Sequence, residues 1–128
     1  MDLTGIYRSF SDFTRLRILH LLLQQPVCVC HLQDVLDLPQ VNVSQHLAYL
    51  RNAGIVAFDR VQTWKIYRIV SPIPRELLIN LKALSQCGKL QPIFKKDSIR
   101  LDQALKRSRA ACIAVTEARK LGRLSKAA

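Results

Sequence analysis

Apolar residues recur at helical spacing in five segments of the chain, over residues 12–24, 31–36, 41–52, 75–86 and 98–121. Ser11 or Asp12 can cap the first of these predicted helices, and Pro26 ends it. Gly54 is a good termination signal for the third. The pattern therefore predicts a mainly helical chain, and it shows no internal repeat.

The segment after the third predicted helix has the composition of a β-hairpin. Residues 55–60 and 64–70 are rich in β-branched and aromatic side chains, and Val61, Gln62 and Thr63 separate them. The second and third helices are joined by the short turn Leu38-Pro39-Gln40. Two helices joined by a tight turn and followed by a hairpin are typical of a winged helix-turn-helix. We predict a mainly α fold with a β-hairpin wing.

The third predicted helix has one apolar face, formed by Val43, Leu47 and Leu50, and one polar face. The polar face carries Asn42, Gln45, His46 and Tyr49. Amide side chains can pair with adenine edges in the major groove, and hydroxyl groups suit phosphates or bases. An ordinary solvated face is the alternative interpretation, but the expected hairpin tip adds further candidates for contact with the DNA backbone or minor groove: Arg60, Gln62, Thr63 and Lys65.

The charge of the chain agrees with a polyanionic partner. The 128 residues include 20 Lys and Arg against 9 Asp and Glu, a formal net charge of +11. Residues 1–88 carry 9 basic and 6 acidic side chains, whereas residues 89–128 carry 11 and 3. Most of the surplus therefore lies in a C-terminal arm, where it either contacts phosphate or forms the solvated side of a packing helix.

The four cysteines bear on the chemistry of the protein. The N-terminus lacks the features of a signal peptide, and the longest apolar stretch is too short for a membrane span, so we expect a cytoplasmic protein without a membrane partner. Thiols stay reduced there. Cys28 and Cys30 are predicted near a helix start, where the helix dipole favours thiolates. On a regular helix their spacing would point the two side chains apart.

Four collinear segments resemble the ArsR/SmtB family of winged-helix repressors: residues 10–19 (FSDFTRLRIL), 28–32 (CVCHL), 38–47 (LPQVNVSQHL) and 50–56 (LRNAGIV). The resemblance implies a homodimer that reads an inverted-repeat operator in double-stranded DNA and represses transcription until an effector binds. By position it assigns DNA contacts to Gln40, Asn42, Ser44, Gln45 and His46. At Val41-Asn42 the chain departs from the Ser-Thr that family members often have, which indicates a different operator sequence.

The run Cys28-Val29-Cys30 resembles the arsenite- and antimonite-sensing members, and also the cadmium- and lead-sensing ones. The implied effector is As(III) or Sb(III), with Cd(II) or Pb(II) as the alternative, bound by Cys28 and Cys30; no organic cofactor is expected. The arsenic type usually has a third cysteine where this chain has Gln33. A third ligand would then be Cys112 or Cys87, unless the two thiols act alone.

We expect two parts, a winged-helix DNA-binding and dimerisation domain over residues 1–88 and a basic helical extension over residues 89–128. The sequence contains no glycine-rich phosphate loop and no arrangement typical of catalysis, so we do not expect an enzyme. Two alternatives stay open. The protein could sense oxidation through Cys28 and Cys30, or it could be a constitutive nucleic-acid-binding protein in which the thiols have no role.

Overall fold

The computed structural model describes residues 1–107 of the chain. This part contains, in chain order, α1 (Leu3–Phe10), α2 (Phe13–Gln24), β1 (Val27–Cys28), α3 (Val29–Leu36), α4 (Gln40–Asn52), β2 (Val56–Val61), β3 (Trp64–Ile69), α5 (Arg75–Gly88) and α6 (Pro92–Arg107). The strands form one antiparallel sheet in the order β1-β3-β2. The predicted mainly helical fold with a hairpin wing is confirmed. Within residues 1–107, every helix is too short or too polar to cross a membrane.

Carboxylate caps define the first two helices. The Asp2 carboxylate accepts hydrogen bonds from the backbone N–H groups of Thr4 and Gly5, and the Asp12 carboxylate accepts one from Arg15. Asp12, rather than Ser11, is thus the cap of α2. The pattern of apolar residues did not predict α1, which is only 8 residues long and buries two side chains.

The helix-turn-helix consists of α3, a short turn and α4. Asp37 ends α3 in the left-handed conformation, with φ of 53°. Pro39 then precedes the first residue of α4. Val43, Leu47 and Leu50 are fully buried, which confirms the predicted apolar face of α4.

The wing is the β2–β3 hairpin. Val61 pairs with Trp64, so the loop contains only Gln62 and Thr63, one residue fewer than predicted. A two-residue hairpin turn requires positive φ, and Gln62 adopts a φ of 57° although it is not glycine. Both loop residues are exposed and form the tip of the wing.

Helix α6 begins at Pro92, six residues before the predicted start, because proline is well suited to the first turn of a helix. Its Phe94, Leu101 and Ala104 are buried in the same hydrophobic cluster as α2, α3 and α4. The division of the chain at residue 88 stays a prediction. The rest of the predicted C-terminal helix lies outside the described residues, as do Cys112 and the basic residues Arg109, Arg119, Lys120 and Arg123.

Candidate DNA-binding surface and thiol site

The exposed side of α4 carries five of the ten residues predicted to contact DNA. Gln40, Asn42, Ser44 and Gln45 are exposed, and Tyr49 is 42% exposed. His46 is different, because its ring is largely covered and its Nδ1 lies 3.8 Å from the Asp12 carboxylate at the start of α2. His46 is therefore less accessible than the other polar side chains of α4 and lies beside the start of α2.

Arg15 on α2 joins this face, although the sequence pattern did not single it out. Its guanidinium lies 4.2 Å from the centre of the Tyr49 ring and donates hydrogen bonds to the backbone carbonyls of Ser9 and Arg8. In the sequence, Arg15 is only a cation beside the apolar residues of the predicted helix 12–24. Only the packing of α2 against α4 brings it to the polar face.

The wing presents a group of cations around one aromatic ring. Lys65 Nζ lies 4.7 Å from the centre of the Phe58 ring, and the guanidinium carbons of Arg51 and Arg60 lie 5.3 Å and 5.9 Å from it. Arg60 and Lys65 were predicted; Arg51, in the last turn of α4, was not. The only indication in the sequence is its spacing. Arg51 lies seven positions after Ser44 and therefore on the same face of the helix.

Cys28 and Cys30 lie where β1 meets α3. Cys28 is the N-cap residue of α3 and is extended, with φ of −66° and ψ of 143°, whereas Cys30 lies in the first turn. The Cys30 thiol donates a hydrogen bond to the Cys28 sulfur across 2.9 Å. The expectation that the two side chains point apart holds only when both residues lie inside a regular helix. Because Cys28 is outside the helix, the two side chains converge.

This contact gives the two thiols different pKa values. The hydrogen bond from the Cys30 thiol lowers the pKa of Cys28 to about 7, against the effect of burial, with help from the backbone N–H groups of Cys30 and His31. The same hydrogen bond, together with burial, raises the pKa of Cys30. Above about pH 7 the pair is therefore mainly one thiolate and one thiol, rather than two thiolates favoured by the helix dipole.

The thiol pair is packed against the base of the wing. Cys28 pairs with Ile66 in the sheet, and these two residues form a small buried cluster with Val61. Cys30 and Trp64 pack against that cluster. Ion binding or oxidation at the sulfurs would thus act directly on the side chains that position the hairpin, because they are in contact.

A cleft of about 440 Å³ joins the thiol pair to the DNA-binding elements. Cys28 and Cys30 line it together with side chains from α4 and from the wing, among them Ser44, Arg51, Thr63 and Lys65. Five of the ten residues predicted to contact DNA therefore line the same cleft as the predicted effector ligands: Gln40, Ser44, Arg60, Thr63 and Lys65.

The described residues supply no third ligand beside Cys28 and Cys30 for a bound ion. Within residues 1–107, no group of three or more His, Cys, Asp or Glu side chains could hold a metal ion. Cys87 is an exposed free thiol in the last turn of α5, and it does not line the cleft. Cys112 lies outside the described residues.

His31, the residue after the half-buried Cys30 on α3, is buried, and burial lowers its pKa. Its two ring nitrogens have no hydrogen-bond partner among the described residues.

Residues 12–57 match the family described as bacterial regulatory protein, arsR family. The chain is 42% identical over 74 residues to the uncharacterized HTH-type transcriptional regulator MJ1325 of Methanocaldococcus jannaschii, covering 57% of this chain and 83% of that protein. It is 33% identical over 97 residues to the arsenic resistance transcriptional regulator ArsR1 of Pseudomonas putida, covering 75% of this chain and 74% of that protein.

Among solved structures, HlyU from Vibrio cholerae aligns with a TM-score of 0.60 at 27% identity, over 66% of this chain and 88% of that one. The two chains share the winged-helix architecture. The chain belongs to the ArsR family of winged-helix transcriptional regulators, a family of DNA-binding proteins that are not enzymes.

Proposed function

We propose that this protein is a homodimeric repressor that binds an inverted-repeat operator through α4 and the wing. A thiophilic ion bound by Cys28 and Cys30, As(III) or Sb(III), releases it from the operator. The observation that carries the effector half of this proposal is the 2.9 Å contact between the two sulfurs. The likeness to a relative named as an arsenic resistance regulator supports it.

The proposed DNA contacts follow from the exposed side chains of the two elements. Gln40, Asn42, Ser44 and Gln45 have amide and hydroxyl groups free to reach base edges or phosphates. The wing tip adds Gln62 and Thr63. These residues are mostly neutral, so we expect them to set the sequence preference, while the nearby cations supply salt-dependent affinity.

The donor set fits a soft ion. Two sulfurs already in contact can bind one As(III) or Sb(III) centre with little movement of the chain, and thiolates prefer such ions to hard ones. Each As–S bond displaces one hydroxide from arsenous acid, and the Cys30 proton leaves with one of them as water. A third hydroxide can stay on the ion, or Cys112 or Cys87 can replace it.

Release follows if ion binding shifts the balance between two conformations. Cys28 is the N-cap of α3 and pairs with Ile66 of the wing, so a bond that holds it to Cys30 would restrict the junction between α3 and the wing to one arrangement. A ligand shifts the equilibrium only by its preference for one conformation. We expect the ion-bound form to place α4 and the wing poorly for DNA.

Oxidation is the second candidate function, and the same contact favours it. Peroxide would oxidise the Cys28 thiolate to a sulfenic acid, and the adjacent Cys30 thiol would then displace water to form a disulfide. Cd(II) or Pb(II) in place of As(III) is a further alternative, because both are also thiophilic.

The deciding experiment is a fluorescence-anisotropy titration with DNA from the protein's own promoter, under reducing conditions, with and without arsenite. We expect arsenite to lower operator affinity in the unmodified protein and in Cys87→Ser, but not in Cys28→Ser/Cys30→Ser. An equal loss in the double variant would contradict the proposed site. Release by peroxide that dithiothreitol reverses, without an arsenite effect, would favour the redox function; equal competition by random DNA would favour a non-specific binder.

A further inference from the structure

The cleft above the thiol pair has the charge of an anion-binding site. Arg51, Arg60 and Lys65 line it from two sides, and among residues 1–107 none of the three forms an ion pair. No described Asp or Glu lines it. The one carboxylate of the wing, Asp59, is held by Arg68 at 2.9 Å. The positive charge in the cleft is therefore left for an external anion.

Hydrogen-bond donors accompany these cations. Gln40 and Ser44 at the start of α4 and Thr63 at the wing tip line the same cleft. Amide and hydroxyl groups beside Arg and Lys are the usual contacts to phosphate oxygens of DNA. The two elements that flank the cleft are those by which winged-helix proteins meet the duplex, so a backbone phosphate is the anion that would reach it.

Cys30 also borders a second depression, on the other side of α3, whose lining has no cation. That depression is lined by Gln33, Asp34, Asp37 and Leu38, and the Asp34 carboxylate is paired with Arg107. Asp37 forms no ion pair among residues 1–107. The lining of the α4–wing cleft is therefore the more favourable of the two for a phosphate.

We propose that the cleft between α4 and the wing binds a phosphate group of the DNA backbone directly over Cys28 and Cys30, so that a thiol-bound effector and the DNA exclude each other. The effector then acts in part by occupying the space of the phosphate, in addition to any change in α3. The exclusion of DNA by a bound effector rests on the proposed function. Phosphate binding in the cleft does not depend on it.

Protection of thiols by DNA tests this proposal. The full-length reduced protein is treated with N-ethylmaleimide, which is neutral, with and without saturating duplex DNA at low salt, and modification is followed by mass spectrometry of tryptic peptides. Cys28 and Cys30 lie in the peptide 18–51 and Cys87 in the peptide 83–89. At a free DNA concentration a hundred times the Kd, we expect the reaction at Cys28 and Cys30 to slow by about a hundredfold. The reaction at Cys87 should be unchanged.

Unchanged reaction of Cys28 and Cys30 in the presence of DNA would overturn the proposal. So would continued modification of Cys30 alone, because the reagent would then enter from the acidic depression on the other side of α3. Protection without any effect of arsenite on operator binding would support the cleft and contradict the proposed effector. Release of the operator by arsenite, without protection of the thiols by DNA, would support the proposed effector and contradict phosphate binding in the cleft.

A charge variant gives an independent measurement. Arg51→Gln/Lys65→Gln removes two of the three cations around the phosphate in each cleft, and the proposed dimer has two clefts. The slope of log affinity against log salt should therefore fall by about two per dimer, since each phosphate contact contributes roughly 0.9. The matched control, Arg75→Gln/Lys82→Gln, removes two exposed cations of α5 and should leave the slope unchanged. An unchanged slope in the cleft variant would contradict phosphate binding there.

Discussion

The guanidinium of Arg17 on α2 meets the carboxylate of Asp97 on α6 in two N–H···O hydrogen bonds of 2.9 Å each. Asp97 is fully buried, and the side chain of Arg17 is 13% exposed. The hydrogen bonds to Asp97 raise the pKa of Arg17, against the effect of burial. A bidentate pair of this kind connects α6 to the helical core at a distance of 80 residues along the chain.

We predict that Asp97→Asn lowers the free energy of unfolding by about 3 kcal/mol, because removing one partner of a buried pair leaves the other without compensation. The exposed pair between Arg107 and Asp34 is the matched control. Asp34→Asn should cost less than about 1 kcal/mol, as expected of a solvated ion pair. Urea unfolding followed by circular dichroism measures both, and equal losses would show that the Arg17–Asp97 pair is not a structural connection.

The reactivity of Cys28 should depend on pH with a midpoint near its lowered pKa of about 7. The thiolate is the nucleophile, so alkylation by iodoacetamide should be slow below the midpoint and reach a plateau above it. Cys30→Ala removes the thiol donor that is the largest cause of the shift, and the midpoint should then move to higher pH. A midpoint that stays the same in this variant would contradict the assigned hydrogen bond.

Gln45 should contribute to sequence preference rather than to general affinity. It is exposed on α4 and neutral, so Gln45→Ala should cost about 1–3 kcal/mol at one operator position while the salt dependence of binding stays the same. Gln86→Ala, at an exposed position of α5, is the matched control. Binding to a set of single-base operator variants measures this effect; a uniform loss across all variants would indicate a backbone contact instead.

The basic segment beyond Arg107 should add salt-dependent affinity. Residues 108–128 contain five basic side chains and one acidic one, a net charge of +4. Removing them should flatten the plot of log affinity against log salt and leave the operator preference unchanged, because phosphate contacts carry no sequence information. An unchanged slope would place these cations away from the DNA. The cut belongs after Arg107, since an earlier one would remove Phe94 and Leu101 from the core.

Local patterns were sufficient for the main elements. The spacing of Val43, Leu47 and Leu50 predicted the buried face of α4, and the β-branched segments predicted the wing. Patterns failed where the signal was short or ambiguous. Helix α1 buries only two residues, and α6 begins at Pro92, six residues before the start that its apolar spacing predicted.

The sequence by itself determined the family, the helix-turn-helix with its wing, and the candidate residues on α4, because these depend on periodicity and on residues close together in the chain. Only the tertiary structure decided that Cys28 and Cys30 converge, that Arg51 joins the wing cations, and that the thiols open into the cleft beside α4. The physical reason is that these relationships depend on how α3, α4 and the sheet pack against one another. Such packing is set by side chains far apart in the chain, and no local spacing records it.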